Sequence, residues 1–205
     1  MSIRKKIGLY FGTFNPIHVG HLILANHMEQ NSDLDEVWFV ITPHNPHKKK
    51  KSLLEDFHRL EMVEIAIEKY PALVASNIEF NLPQPNYTVN TLVHLEERFP
   101  GTDFCLIMGE DNLKSFHKWK NFEVILERYA IYVYPRYSEG EVNSRFYRIR
   151  EDGTEEYHKN IVKIDAPRIE LSSTFIRNAI KEEKDIRPML PEGVWKFLDE
   201  MNFYR

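Results

Sequence analysis

The sequence is poor in cysteine and has no long apolar run. A single cysteine, Cys105, stands among its 205 residues, which excludes a disulfide within the chain and a zinc site built from several thiolates. Cys105 lies in the apolar run 104–108, where a buried and unreactive thiol is expected. No apolar stretch reaches the length of a bilayer span, and no N-terminal segment resembles a signal peptide. We therefore expect a cytoplasmic protein without a membrane partner.

The sequence also lacks a strong excess of charge of one sign. It has 27 basic and 31 acidic residues and a formal net charge of −4 at pH 7. Nucleic-acid-binding domains are usually basic, so this balance argues against a nucleic-acid partner. With 42% hydrophobic residues the chain can form a substantial core. Its length suits a single domain, residues 1–205.

Stretches typical of strands and of amphipathic helices alternate along the chain. Strands are predicted at residues 6–11, 36–42, 76–80, 103–108, 129–134 and 161–164, and helices at residues 19–30, 55–69, 88–98, 173–183 and 192–201. Such alternation predicts an α/β fold with a mainly parallel sheet and helices on both faces. On the first helix, Val19, Leu22, Ile23 and Asn26 are expected to face inward.

Residues 138–160 interrupt this alternation. Turn-forming residues at 138–141 and 151–154 flank residues 145–150, which are predicted to form one arm of a hairpin. We therefore expect a hairpin-like insertion at about 138–160 and a C-terminal helical segment from about residue 173.

The segment from Tyr10 to His21 joins the first strand to the first helix. The free N–H groups and the dipole at a helix start form a cradle for phosphate. Gly12 permits close approach of the backbone. His18 and His21 can share one helix face and donate hydrogen bonds to phosphate oxygens, and Gly20 is expected to leave the surface between them bare.

Ligands of open parallel sheets bind beyond the carboxyl ends of the strands. The loops predicted at that edge are residues 12–18, 43–50, 81–88, 109–119 and those from 135 onward. A nucleotide site is expected there.

The content of these loops resembles a known family. Residues 12–21 resemble the G-x-F-x-P-x-H-x-G-H signature of nucleotidylyltransferases, and residues 171–177 resemble the I-S-S-T-x-x-R segment of the same superfamily. Shorter matches to one branch, the bacterial nicotinate-nucleotide adenylyltransferases, lie at residues 46–48, 56–60, 86–88, 109–111 and 118–119. The matches follow one another in the family's order.

The resemblance implies a Rossmann-like, doubly wound fold and adenylyl transfer from ATP to nicotinic acid mononucleotide in NAD biosynthesis. The products would be nicotinic acid adenine dinucleotide and pyrophosphate. The attacking phosphate is already ionised near neutral pH, so the reaction needs positioned donors more than a base. Mg²⁺ is implied as a cofactor bound mainly through ATP, with no metal site of the protein's own. A homo-oligomer is left open.

The resemblance also implies roles for individual residues. The catalytic set is His18, His21, Lys48 and Arg177. The residues implied for ATP are Gly12, Thr13, Phe14, His18, Gly20, His21, Gly109, Asp111, Ser172, Ser173, Thr174 and Arg177. Those implied for the mononucleotide are Thr13, Lys48, Tyr87, Thr88, Trp119 and Arg136. Among these, Trp119 would stack on the pyridine ring.

Two departures from the family pattern bear on affinity and turnover. Phe11 stands where a second glycine is usual, and its bulk is expected to crowd the turn unless the side chain points into the core. Asn15 stands where aspartate is common.

Other functions are compatible with parts of the pattern. The same fold could act on nicotinamide mononucleotide or on another acceptor such as phosphopantetheine, or could bind nucleotide as a regulator without catalysis. A metal site could combine His18 and His21 with His44 or His47, although no carboxylate or cysteine completes the ligand set.

Overall fold

The computed structural model describes residues 4–43, 53–136, 146–150 and 155–205. Within these ranges the strands are β1 (Lys6–Gly12), β2 (Glu36–Ile41), β3 (Leu73–Ser76), β4 (Asp103–Gly109), β5 (Ile131–Tyr134), β6 (Tyr147–Ile149), β7 (Glu155–Tyr157) and β8 (Ile161–Lys163). The α-helices are α1 (Val19–Gln30), α2 (Asp56–Ile67), α3 (Thr88–Arg98), α4 (Glu110–Ser115), α5 (Phe122–Arg128), α6 (Ser173–Lys181) and α7 (Glu192–Glu200). None of these helices combines the length and apolar character needed to cross a membrane.

Six strands form one parallel sheet in the order β3-β2-β1-β4-β5-β8. The order reverses at β1, which has β2 on one side and β4 on the other. In doubly wound sheets this switch point opens a crevice at the carboxyl ends of the two central strands, where ligands bind. The predicted α/β, Rossmann-like class is confirmed. The remaining strands, β6 and β7, pair antiparallel with each other.

Apolar side chains cover both faces of the sheet. Successive residues of a strand point to opposite faces, and accordingly Leu9 and Leu106 join one buried cluster while Tyr10 and Ile107 join the other. A strand covered on both faces has a continuous apolar sequence rather than an alternating one, which explains why β1 and β4 were recognisable without alternation.

Two predictions of local secondary structure were wrong. The predicted strand at 76–80 lies earlier, at β3, and Ile78–Asn81 form a 3₁₀ turn, since Asn77 favours a turn over an extended chain. The predicted loop 109–119 contains α4 and a further 3₁₀ turn at Phe116–Lys118, and α5 follows it.

The buried face of α1 also differs from the predicted one. Its buried residues are Gly20, Leu24, Ala25 and Met28, whereas Ile23 is 43% exposed and Asn26 is exposed as well. Apolar residues occur around most of this helix, so docking against the sheet decided which face was buried.

Candidate active site

The two histidines lie at the switch point, where β1 leads into α1. His18 is the N-cap of α1 in an extended conformation, and His21 lies in the first turn. Their rings stack with centroids 3.7 Å apart and planes inclined by 21°. The backbone N–H of His18 donates to Nδ1 of His21 at 3.3 Å. The predicted pair is therefore one compact unit at the start of a helix.

Phe14 packs against the histidine pair on the side of the protein core. Its ring is buried and meets His21 edge to face, with centroids 5.2 Å apart. The backbone of Phe14 is left-handed, with φ of 45°, a conformation that costs a non-glycine residue about 1 kcal/mol or more. A Cβ on Gly12 would lie 2.7 Å from Cζ of Phe14. Because Gly12 has no side chain, the ring of Phe14 can pack directly against it. Phe11 is half-buried against the apolar cluster on the opposite face, and does not crowd the turn.

Gly20 does not leave a bare surface between the histidines, as the sequence suggested. It is buried, and a Cβ there would lie 3.1 Å from Nδ1 of His18 and 2.7 Å from Cγ2 of Ile169. Its lack of a side chain makes room for the imidazole of His18.

The imidazole of His18 is kept uncharged. Only 3% of His18 is exposed, and burial, together with the positive charge of Arg136, lowers its pKa from 6.5 to about 4. Nδ1 of His18 is buried and has no hydrogen-bond partner within the described part of the chain. Nδ1 lies against Gly20 inside the protein, so a ligand can meet this imidazole only at its other ring nitrogen, Nε2.

The carboxyl ends of β4 and β5 supply a charged pair. Asp111 lies in the first turn of α4, directly after Gly109, and its Oδ2 is 3.6 Å from Nη1 of Arg136, which follows β5. A Cβ on Gly109 would lie 3.1 Å from the ring of Tyr134. The guanidinium of Arg136 therefore lies beside Asp111, and its positive charge contributes to the lowered pKa of His18.

The second motif packs directly against the first. Oγ of Ser173 donates to the carbonyl of Pro16 at 2.8 Å, and Nη1 of Arg177 donates to the carbonyl of Asn15 at 2.7 Å. Nη2 of Arg177 also donates to Oγ1 of Thr174 at 3.1 Å. Ser172 is the N-cap of α6, and its Oγ accepts from the N–H of Phe175 at 3.2 Å. The start of α6 is thus fixed beside the histidine turn.

The residues expected for the mononucleotide lie at the same edge of the sheet. Tyr87 is the N-cap of α3, and Thr88 is its first residue. Trp119 follows α4, is half-buried, and packs against Phe116 with ring centroids 5.4 Å apart. The two segments meet where Nζ of Lys120 lies 4.4 Å from the centroid of the Tyr87 ring. Lys48, His44 and His47 lie outside the described residues.

Arg59 lies in the family-like segment 56–60, and the sequence predicted no role for it. Its side chain is fully buried. Nη1 donates to the carbonyls of Thr13 at 2.7 Å and Thr42 at 3.1 Å, and Nε donates to the carbonyl of Leu54 at 3.0 Å. Nη2 pairs with Asp56 at 2.5 Å. The only sequence signal was an arginine in an amphipathic helix, where most arginines are exposed.

The fold and the site together define a class. A parallel sheet with this strand order, a stacked histidine pair at its switch point and an arginine-bearing helix start beside it are the features of an α/β nucleotidyltransferase. The model of the cytidylyltransferase-like family matches residues 9–179. The chain belongs to this family.

Within this family, two relatives place the chain among the nicotinate-nucleotide adenylyltransferases. A protein of Christiangramia forsetii named "Probable nicotinate-nucleotide adenylyltransferase" is 63% identical over 99% of this chain and 100% of its own length. One of Bacteroides thetaiotaomicron with the same name is 41% identical over 97% of this chain and 93% of its own length.

Solved structures support the fold independently. Plasmodium falciparum nicotinic acid mononucleotide adenylyltransferase complexed with NaAD superposes with a TM-score of 0.75 at 20% identity, over 98% of this chain and 97% of that one. The same protein complexed with APC gives 0.74 at the same identity and coverage. At such low identity the likeness concerns the fold alone.

Proposed function

We propose that this protein transfers the adenylyl group of ATP to nicotinic acid mononucleotide, giving nicotinic acid adenine dinucleotide and pyrophosphate. The observation that carries the proposal is the bond between Arg177 and the carbonyl of Asn15, at 2.7 Å. It brings two motifs that are far apart in sequence into direct contact at the turn before His18. The names of the relatives support the choice of acceptor.

The reaction is a displacement at the α-phosphorus of ATP. An oxygen of the mononucleotide phosphate forms the new bond to that phosphorus. The bond from the α-phosphorus to the oxygen bridging to the β-phosphate breaks, and pyrophosphate leaves with the electron pair. The nucleophile is already an anion, so no proton needs to be removed. The protein must align the two phosphates and stabilise the charge that develops between them.

His18 fits the role of donor to the α-phosphate. Because its pKa is about 4, the ring is neutral at pH 7 and retains one N–H to donate. The ring is already held in position before ATP binds, because it stacks on His21 and packs against Gly20. Such prepared donors contribute more than flexible ones.

Positive charge around this donor would hold the remaining phosphates. Arg136 stands close enough to His18 to lower its pKa. Arg177 and the N-terminus of α6, with Ser172, Ser173 and Thr174, would hold the β- and γ-phosphates. Lys48 is proposed as a further phosphate ligand on the resemblance alone.

The two nucleoside portions would bind on either side of the phosphates. Gly109 and Asp111 would meet the ribose of ATP, with the Asp111 carboxylate accepting from its hydroxyls. Tyr87, Thr88 and the exposed part of Trp119 would contact the pyridine ring and its carboxylate.

We further propose that Mg²⁺ enters with ATP, held by phosphate oxygens and water. The start of α1 beside His18 offers backbone N–H groups, and the positive charge of Arg136 acts on the same ring, which suits phosphate better than a metal. When bound to ATP, the ion neutralises charge on the leaving pyrophosphate. Activity should therefore be lost with excess EDTA and restored by added Mg²⁺.

The direct test measures pyrophosphate release from ATP with four acceptors: nicotinic acid mononucleotide, nicotinamide mononucleotide, phosphopantetheine and glycerol phosphate. We expect the highest kcat/KM with nicotinic acid mononucleotide, and no release without an acceptor. Preference for phosphopantetheine or glycerol phosphate would contradict the proposed acceptor. Preference for nicotinamide mononucleotide would mean that only the substituent on the pyridine ring was assigned wrongly. Absence of release with every acceptor would favour a regulatory role.

A further inference from the structure

Phe146, just before the β6–β7 hairpin, is buried among aromatic side chains at the carboxyl edge of the sheet. None of its surface is exposed. Its ring centroid lies 5.6 Å from that of Phe116 and 6.2 Å from that of Phe122. Burial of so large an apolar ring stabilises its position within the aromatic cluster.

The backbone around Phe146 is fixed as well. Its carbonyl accepts from the N–H of His158 at 2.8 Å, directly after β7, which closes the base of the hairpin. Beyond the hairpin, Nδ2 of Asn160 donates to the carbonyls of Leu126 at 2.9 Å and Glu127 at 3.0 Å, at the end of α5. The hairpin is therefore tied at its base to α5, the helix that follows the Trp119 turn.

The aromatic contacts continue from Phe146 to Trp119. Phe116 lies between them, with its centroid 5.6 Å from Phe146 and 5.4 Å from Trp119. The N–H of Trp119 donates to the carbonyl of Phe116 at 2.9 Å, and the N–H of Phe122 donates to the carbonyl of Trp119 at 3.3 Å. Phe116 and Phe122, the two residues hydrogen-bonded to the backbone of Trp119, thus both pack directly on Phe146.

We propose that Phe146 is a positioning residue for the pyridine ring of the mononucleotide, and acts by fixing the indole of Trp119 through Phe116 and Phe122. The inference rests on the proposed function, in which Trp119 is the stacking surface. It assigns a role to Phe146 at the base of the β6–β7 hairpin: its ring supports the wall of the acceptor site. Because the contact is with the acceptor site, it should affect the mononucleotide and leave ATP unaffected.

The test is a double-mutant cycle between Phe146 and Trp119. Phe146→Ala should raise the KM for nicotinic acid mononucleotide about tenfold, a change within the usual range of coupling between packed residues. The KM for ATP should stay within about twofold. In a Trp119→Leu background the same substitution should change the mononucleotide KM by no more than about twofold, since the residue through which Phe146 acts is gone.

Two further variants separate positioning from general loss of packing. Phe146→Leu keeps most of the volume and should give a smaller rise in the same KM, so the series remains informative if Phe146→Ala does not fold. Phe104→Leu is the matched control: Phe104 is buried in the same cluster at the opposite end of β4. It should lower thermal stability and leave both KM values unchanged.

A second measurement does not depend on catalysis. With Trp38→Phe and Trp195→Phe, Trp119 becomes the sole tryptophan, and its emission should shift to longer wavelength on Phe146→Leu and not on Phe104→Leu. An unchanged emission, or equal effects of Phe146→Ala with and without Trp119, would overturn the inference while leaving the proposed reaction intact. A wild-type protein that does not use the mononucleotide would count against the proposed function instead.

Discussion

The hydroxyl of Tyr204 donates a hydrogen bond to Oδ1 of Asn15 at 2.6 Å, which joins the C-terminal segment to the turn before His18. The same oxygen accepts from the N–H of Leu54 at 3.2 Å. Burial raises the pKa of Tyr204 well above its usual value, so the hydroxyl remains a donor. Asn15 is itself buried. An amide oxygen serves here as the acceptor that a carboxylate would supply, which explains how asparagine is tolerated where aspartate is common.

Tyr204→Phe removes this one bond and keeps the ring. We expect the free energy of unfolding to fall by about 1 kcal/mol, the usual net value of a hydrogen bond, and kcat to fall several-fold because the turn is less rigid. Urea unfolding and steady-state kinetics measure the two effects. Tyr70→Phe is the control, since Tyr70 is 43% exposed, and it should alter neither. An unchanged kcat in Tyr204→Phe would show that the bond serves stability alone.

Gly20→Ala tests the space reserved for His18. The new Cβ would lie 3.1 Å from Nδ1 of His18 and 2.7 Å from Cγ2 of Ile169, so the imidazole must move. We expect kcat to fall about 10²-fold, the usual cost of displacing a catalytic group by about 1 Å, although alanine favours the helix by about 1 kcal/mol.

Gly193→Ala is the matched control for this substitution. It also introduces a methyl group into a helix, 2.6 Å from Cγ2 of Ile65, at a site remote from the histidines. It should change thermal stability without changing kcat. Similar losses of kcat in both variants would attribute the effect of Gly20→Ala to general strain.

The parts of this fold that depend on local sequence were predictable. The bounds of α1 and α3 agree with the structure, because apolar spacing and turn residues act within one segment. The histidine pair was predictable for the same reason: both residues lie in one turn next to a strand. The sheet edge that carries the site followed from the alternation of strands and helices.

The parts that depend on distant contacts were not predictable. Arg59 binds the carbonyl of Thr13, Tyr204 binds Asn15, and Phe146 packs on Phe116. Each partner is remote in sequence, and no periodicity or motif links the two. The contrast is clearest at Gly20, which was predicted to leave the surface between the histidines bare and instead makes room for the side chain of His18.

Arg59→Lys tests the support beneath the phosphate turn. The guanidinium donates to three carbonyls and to Asp56 from one planar group, a geometry that an ammonium cannot reproduce. With buried carbonyls left unpaired, we expect the free energy of unfolding to fall by about 3 kcal/mol.

The control for this substitution is Arg128→Lys. Arg128 pairs with Glu96 at 2.9 Å and its side chain is 53% exposed. Exposed ion pairs contribute little, so the loss should stay within about 0.5 kcal/mol. Urea unfolding compares the two variants, and equal losses would mean that the bonds of Arg59 add nothing beyond a surface pair.

His18→Ala tests the proposed donor directly. We expect kcat to fall by about 10²- to 10³-fold, the usual effect of removing one donor to a developing charge. Mononucleotide-dependent pyrophosphate release measures the loss. Near-normal turnover would remove His18 from the mechanism, and circular dichroism would check that the variant remains folded.

The depressed pKa of His18 also predicts how stability depends on pH. The pKa is about 4 in the folded protein, against a usual value of 6.5. Between these values the unfolded chain binds a proton that the folded protein does not, so acid favours unfolding. This contribution of His18 to stability is fully present above pH 6.5 and declines as the pH falls towards 4, by up to about 3 kcal/mol. In His18→Gln that decline should be absent, because glutamine does not titrate. Urea unfolding of both proteins from pH 7.5 to pH 4 measures the difference, and parallel curves would show that the folded protein does not resist protonation of His18.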